Sequence, residues 1–156
     1  MTRWMTVSLG GSSLGLALLL GSCGSMDPAG AGQIELQATA QANINGIQAE
    51  LKGQFRIEAE GQRLRGELDN SGFSMGTAIS FCLVKPTGTT PLAAPQTDAQ
   101  GVAQFELNTQ TGQTVPRVNT GDKLEARQGA MSSGTADCSA PLLVSATFQP
   151  EVVVNP

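Results

Sequence analysis

AELKGQFRIEAEGQRLRGEL, residues 49–68, decides the fold class. Ala49, Leu51, Gly53, Phe55, Ile57 and Ala59 fall on one side of an extended chain, and Glu50, Lys52, Gln54, Arg56, Glu58 and Glu60 fall on the other. Gly61-Gln62 reads as a turn, after which Leu64, Gly66 and Leu68 face inward while Arg63, Arg65 and Glu67 face water. Successive side chains of a strand point to opposite faces, so a strict period of two with one apolar side describes a half-buried antiparallel sheet.

The same period continues outward in both directions. Upstream, Ile34, Leu36, Ala38 and Ala40 alternate with Glu35, Gln37, Thr39 and Gln41, and Asn43-Ile44-Asn45-Gly46 marks a turn. Downstream, Asp69-Asn70-Ser71-Gly72 turns the chain into Thr77 to Val84, where Ile79, Phe81 and Leu83 share a face opposite Cys82 and Val84. Pro86 to Gln96, with Pro86, Gly88, Pro91 and Pro95, reads as a long irregular connection and a candidate binding loop. In Thr97 to Leu107, Asp98 opens a turn that ends at Gly101, and Ala103, Phe105 and Leu107 then alternate, which predicts a hairpin. Leu124 and Ala126 belong to another strand, residues 129–137 form a small-residue loop, and Leu142, Val144, Ala146 and Phe148 alternate through the last strand. Pro150 and Pro156 bracket a tail whose Val152-Val153-Val154 adds an edge strand or trails. The expectation is all-β: a single antiparallel β-sandwich of about seven or eight strands over residues 33–149, with a tail at 150–156 and a core thinned by Ala and Gly.

The amino terminus has a different character. Arg3 precedes the apolar run Leu14-Gly15-Leu16-Ala17-Leu18-Leu19-Leu20, which is far shorter than the ~20 residues that span a bilayer. Leu20-Gly21-Ser22-Cys23 follows directly and resembles the lipobox of bacterial lipoproteins. That resemblance implies a signal-peptide helix at 1–22 cleaved after Ser22, a diacylglyceryl group on the Cys23 thiol and further acylation of the new amine. It also implies a bacterial envelope location; Gly24 in place of Asp permits transfer to the outer membrane where the organism has one. An ordinary secretory signal with a chance cysteine is the alternative, because Gly21-Ser22 also suits the general signal peptidase. Two or three acyl chains, at roughly 0.8 kcal/mol per buried methylene, hold far more firmly than the single chain that gives reversible binding. Residues 23–32, rich in Gly, Ala and Ser, read as a flexible tether.

If Cys23 is lipidated, Cys82 and Cys138 remain as an even pair in an oxidising compartment, and a disulfide between them is expected. Such a bond would contribute about 4 kcal/mol in the chain-entropy model. A redox-active dithiol lacks the CxxC spacing, and a zinc site lacks histidine. Because Cys82 points away from Ile79, Phe81 and Leu83, either a bulge intervenes or the disulfide pins a covering loop. Two further stretches carry a resemblance. Thr97-Asp98-Ala99-Gln100-Gly101-Val102-Ala103-Gln104-Phe105 is similar to TDxxGxAxF hairpins of bacterial immunoglobulin-like modules. Val115-Pro116 leading to Gly121-Asp122 before Leu124 resembles a pattern of secreted bacterial β-domains. Both imply architecture and neither implies an activity.

Chemistry is bounded by what the chain lacks. It has no histidine, which removes Ser/His/Asp and Cys/His devices and histidine metal cages. Glu58 with Glu60 and Glu67 with Asp69 are candidate acid–base pairs, but they read as solvated charges on an outer strand face. Asp69 to Gly72, and Asp98 with Asp122, could offer oxygen to calcium, yet the EF-hand spacing is missing and turn formation explains them. Arg56, Arg63 and Arg65 read as an exposed row with Glu58, Glu60 and Glu67 as partners. Past Ser22, 8 basic face 13 acidic side chains and Phe is the only aromatic type, so neither nucleic acid nor exposed-aromatic sugar recognition is expected. No phosphate-binding glycine motif opens a helix there, and no cofactor or metal is expected. The sequence therefore favours a non-enzymatic envelope lipoprotein, attached to the membrane and acting as a structural or protein-interaction module through a sheet edge or the loops 86–96 and 129–141. The alternative is a ligand-binding or inhibitor-like β-barrel lipoprotein.

Overall fold

The computed structural model describes residues 34–151. Residues 1–33 and 152–156 lie outside the described residues, and so do the expectations of a signal peptide, a lipidated Cys23, a tether and a Val152-Val153-Val154 edge strand. The described residues form nine strands: β1 (Ile34–Ile44), β2 (Ile47–Glu58), β3 (Gly61–Asp69), β4 (Ile79–Lys85), β5 (Gly88–Ala93), β6 (Ala103–Asn108), β7 (Lys123–Gln128), β8 (Leu142–Thr147) and β9 (Gln149–Pro150). They form two antiparallel sheets, a five-stranded one ordered β6-β3-β2-β1-β9 and a four-stranded one ordered β5-β4-β7-β8. The chain is an all-β sandwich, as its period of two requires.

The core is the sum of the inward positions. Leu51, Phe55, Leu64 and Leu68 from the five-stranded sheet meet Ile79, Phe81, Leu83 and Leu124 from the other, and Phe148 enters at the point where the chain leaves β8 for β9; all are fully buried. Each such side chain contributes about 1.5–3 kcal/mol on burial. The small residues make room for rings. Gly53 and Gly66 stand opposite each other on β2 and β3. A Cβ on Gly66 would lie 2.3 Å from the Phe105 ring, and one on Gly53 would lie 2.9 Å from Leu124 and 3.1 Å from Phe148. A core that looks thin in sequence is close-packed because glycine in one strand receives phenyl from another.

Several local readings need correction. The β2–β3 turn is Ala59-Glu60, not Gly61-Gln62; Gly61 already pairs with Glu58, and Ala59 is exposed at the tip. The segment 86–96 is not an irregular loop, because β4 turns at Pro86-Thr87 into β5. Pro91 is tolerated there since β5 is an edge strand and needs hydrogen bonds on one side only. The Asp98 turn forms as read: its Oδ1 accepts from the N–H of Gln100 at 2.8 Å and of Val102 at 2.9 Å. It closes no hairpin, however, because Gln96 bridges to Ala78 while β6 pairs with β3 in the other sheet. A capped turn fixes local geometry but does not choose the partners of its flanks. Leu142 is 50 % exposed rather than inward. A bulge at Leu143, between the pairs Ala126↔Val144 and Arg127↔Leu142, moves it to the outer face. Finally, Gln149 and Pro150 pair with Gln37 and Leu36, so the sheet reaches into the segment read as a tail.

The strand directions sort the connections to two ends. Ile34 and Glu151 lie together at one end, where the Glu151 N–H donates to the Glu35 carbonyl. The segments 45–46, 70–78, 94–102 and 129–141 all lie at the opposite, distal end.

Candidate functional site

The feature most unlike an ordinary sandwich is the distal loop 129–141, which folds back over the outer face of the four-stranded sheet. Of the two possibilities raised for Cys82, the covering loop is the one realised. A bulge at Leu92 lies beside it in β5, between the pairs Phe81↔Ala93 and Cys82↔Pro91. The alternation of β4 nevertheless persists, and Cys82 on the outer face bonds to Cys138, with the two Cα atoms 5.9 Å apart. The covering loop makes Cys82 and Ser80 fully buried although neither faces the core.

Beneath the loop the outer face is polar, and every group has a partner that belongs to the loop or to a neighbour. The Ser80 hydroxyl donates to the Gly129 carbonyl at 2.6 Å and accepts from the Asp137 N–H at 2.8 Å. Arg127 donates twice to Oε2 of Glu125, at 2.6 and 3.0 Å, and once to the Ala140 carbonyl at 2.7 Å. Glu125 is 8 % exposed and Arg127 half-buried, so the carboxylate end of this ion pair is largely shielded from water. Asp137 Oδ1 accepts from the N–H and hydroxyl of Ser139, and these bonds hold its carboxyl below the ordinary 3.8. The loop's own turn is closed by Met131 N–H to Thr135 carbonyl at 3.0 Å and Gly134 N–H to Met131 carbonyl at 2.8 Å. The result is a loop tied at Gly129, Asp137, Cys138 and Ala140, with Met131 half exposed at its tip.

Of the carboxylates first considered for catalysis, Glu58, Glu67 and Asp69 lie on the outer face of the five-stranded sheet and Glu60 lies in the β2–β3 turn. Lys52 lies 3.0 Å from Glu50, 3.9 Å from Glu67 and 3.8 Å from Asp69, and its ammonium pKa is raised, first by the hydrogen bond to Glu50. Glu60 accepts from Gln110, and Glu58 adds only its charge to the field at Arg56. Gln37, Thr39, Lys52, Gln54, Arg65 and Glu67 ring an open depression of about 300 Å³. It is a tray of mutually compensated polar groups.

Of the expected arginine partners Glu67 is found, reached by Arg65, while register gives Arg56 and Arg63 other partners. Arg56 stands opposite both Glu35 and Arg63, and it pairs with Glu35 at 2.9 Å. Arg63 lies 3.8 Å from Glu106, and Arg65 reaches Glu67 at 3.1 Å and Gln104 at 3.3 Å. Burial pushes the Glu35 carboxyl up, but hydrogen bonds from Arg56, Gln37 and Gln54, with the Arg56 charge, outweigh it and hold the group below its ordinary 4.5.

Asp98 and Asp122 are not brought together; each serves its own turn, with Asp122 Oδ2 accepting from the Asn119 N–H at 2.9 Å. Among the described residues no three His, Cys, Asp or Glu side chains are placed to share a metal ion, and no helix is long and apolar enough to cross a membrane. The barrel form of the alternative reading is corrected: the sheets are two separate layers over a filled interior. The two cysteines and the small-residue run were legible, but the strip beneath the loop, buried Ser80 and Glu125 with half-buried Arg127, was missed. The alternation placed those residues on a face that is normally solvated. No protein-family model, curated protein or solved structure matches the chain.

Proposed function

We propose that this chain is a non-enzymatic cell-envelope lipoprotein, anchored through lipidated Cys23, whose sandwich is a structural or protein-interaction module. The observation that carries the reading is the pinned loop 129–141. It has lost most of its freedom before any partner arrives, so binding costs less ordering entropy than it would for a free loop. Met131 at its tip is an adaptable apolar contact with no role in the fold's core. Three of the four sheet edges serve this purpose poorly: β5 carries Pro91, β6 carries Glu106, and β9 is two residues ending in Pro150. Of the candidate carboxylates, Glu67 and Asp69 sit on an open sheet face paired with Lys52, and Glu60 accepts from Gln110 in an exposed turn, which supports a non-catalytic role.

Two measurements on the full chain in its host envelope test this. Feeding an alkyne fatty acid should label the wild type and not Cys23→Ala; equal labelling of both removes the anchor. A photo-crosslinking residue at Met131 should give a discrete protein adduct on intact envelopes, while the same residue at Gln54 should not. A smear at both positions, or no adduct at Met131, removes the interaction role.

A further inference from the structure

The pinned loop stands apart from the core of the sandwich. No residue of 129–141 belongs to the apolar cluster that holds the two sheets together, and neither does Cys82, although Cys82, Ala136 and Ala140 are all buried. The Cys82–Cys138 bond therefore joins the outer face of β4 to a loop and bridges no layers. Among the described residues, two hydrogen bonds also tie positions 130–140 to the sheet. They run from the Asp137 N–H to the Ser80 hydroxyl at 2.8 Å and from Arg127 to the Ala140 carbonyl at 2.7 Å.

The strip under the loop is one that water can take over. Arg127 and Glu125 both lie on β7, so their two mutual bonds do not depend on the loop. Ser80 keeps its bond to the carbonyl of Gly129, at the hinge. The groups that lose a partner when the loop lifts are polar, and hydration replaces what they lose, as it could not for an apolar face. A unit with few apolar contacts opens well below the cost of global unfolding. The loop thus has two arrangements, down and lifted, separated mainly by one covalent bond. That bond is approachable from one side: Cys82 has no exposed surface, while Cys138 is half-buried and precedes exposed Ser139.

On the interaction reading above, we propose that the Cys82–Cys138 bond is a redox latch, which a dithiol reductant opens to free loop 129–141 and switch off the contact at Met131. The reductant's thiolate attacks the Cys138 sulfur, the S–S bond breaks, and its electron pair leaves on the Cys82 sulfur, which takes up a proton. The second thiol of the reductant then attacks the mixed disulfide and releases Cys138 as a thiol. The reductant ends as its own disulfide, with two electrons and two protons transferred. The pair is thus the substrate of a dithiol and needs no CxxC spacing of its own. The bonded form is the resting state in an oxidising compartment. Once freed, the loop must be ordered again before it can bind, and the contact weakens.

The test uses the full-length chain in its host envelope, with dithiothreitol as the reductant and no denaturant. Both cysteines should become alkylable. Amides of 130–140 should then exchange with deuterium about tenfold faster or more, while those of Leu51, Phe55 and Leu64 stay protected. The photo-crosslinked adduct from position 131 should fall by a similar factor and return on reoxidation with oxidised glutathione. In Cys82→Ser Cys138→Ser it should be low with or without dithiothreitol. Thiols that appear only in urea, or deprotection that spreads to the core strands, would overturn the latch. An adduct that persists after reduction, with the loop deprotected, would overturn the switch and leave the interaction role standing. No adduct before or after reduction would remove the interaction role, and the switched contact with it.

Discussion

Gly66 shows how a single residue fixes the sandwich. Its missing side chain is where the Phe105 ring lies, with Leu124 3.2 Å from the same point. Gly66→Val should overpack this site and cost about 1–3 kcal/mol, read as a lower urea midpoint with unchanged slope. Equal midpoints would mean the rings find other space at no cost. Titration belongs to the same scale. Glu35 and Asp137 both have carboxyls held below their ordinary values of 4.5 and 3.8 in the folded state. The unfolded chain then binds protons first as acid is added. The stability these groups contribute is complete above the ordinary values and is lost as pH falls through the lowered ones. Urea midpoints should therefore fall between about pH 5 and 3, less steeply in a Glu35→Gln Asp137→Asn double variant. Identical pH profiles would remove the assignment. The inward aim of Gly53 and Gly66 was legible from alternation; the reason for glycine was not, because the approaching rings come from Phe105 and Phe148, far along the chain.

At the scale of elements, loop 129–141 depends on one covalent tie and a few polar ones. Cys82→Ser Cys138→Ser should lose about 2–5 kcal/mol, and limited proteolysis should then cut between residues 129 and 141 before any strand is attacked. Cleavage elsewhere first would show that the disulfide holds the sandwich rather than the loop. Alternation revealed β1, β2, β3 and β6 because each has one wet and one dry face, and it revealed β4 by its apolar odd positions although the covering loop buries the outer face as well. It did not reveal β5, whose GTTPLA is exposed over its first four residues and so carries no inward period. It misplaced Leu142 because a one-residue bulge reverses the face of everything beyond it.

For the molecule as a whole, fold class and disulfide partners were legible, since each follows from a local period or from the arithmetic of two cysteines; the covering loop was one of two possibilities that alternation left open. The assortment of strands into sheets was not legible. The Asp98 turn looks the same whether it joins two paired strands or, as here, hands the chain from one sheet to the other. The functional account joins the distal loop to an anchor at the other end. Top-down mass spectrometry of the mature protein from its host tests the joint claim most directly, because one intact mass reports the first residue, the acyl groups and the state of the remaining thiols. The account predicts a chain that begins at Cys23, carries diacylglyceryl and amide-linked acyl mass, and is two hydrogens lighter than its dithiol form, with Cys82 joined to Cys138. An unacylated chain beginning at another residue, or one with both thiols free, would contradict it.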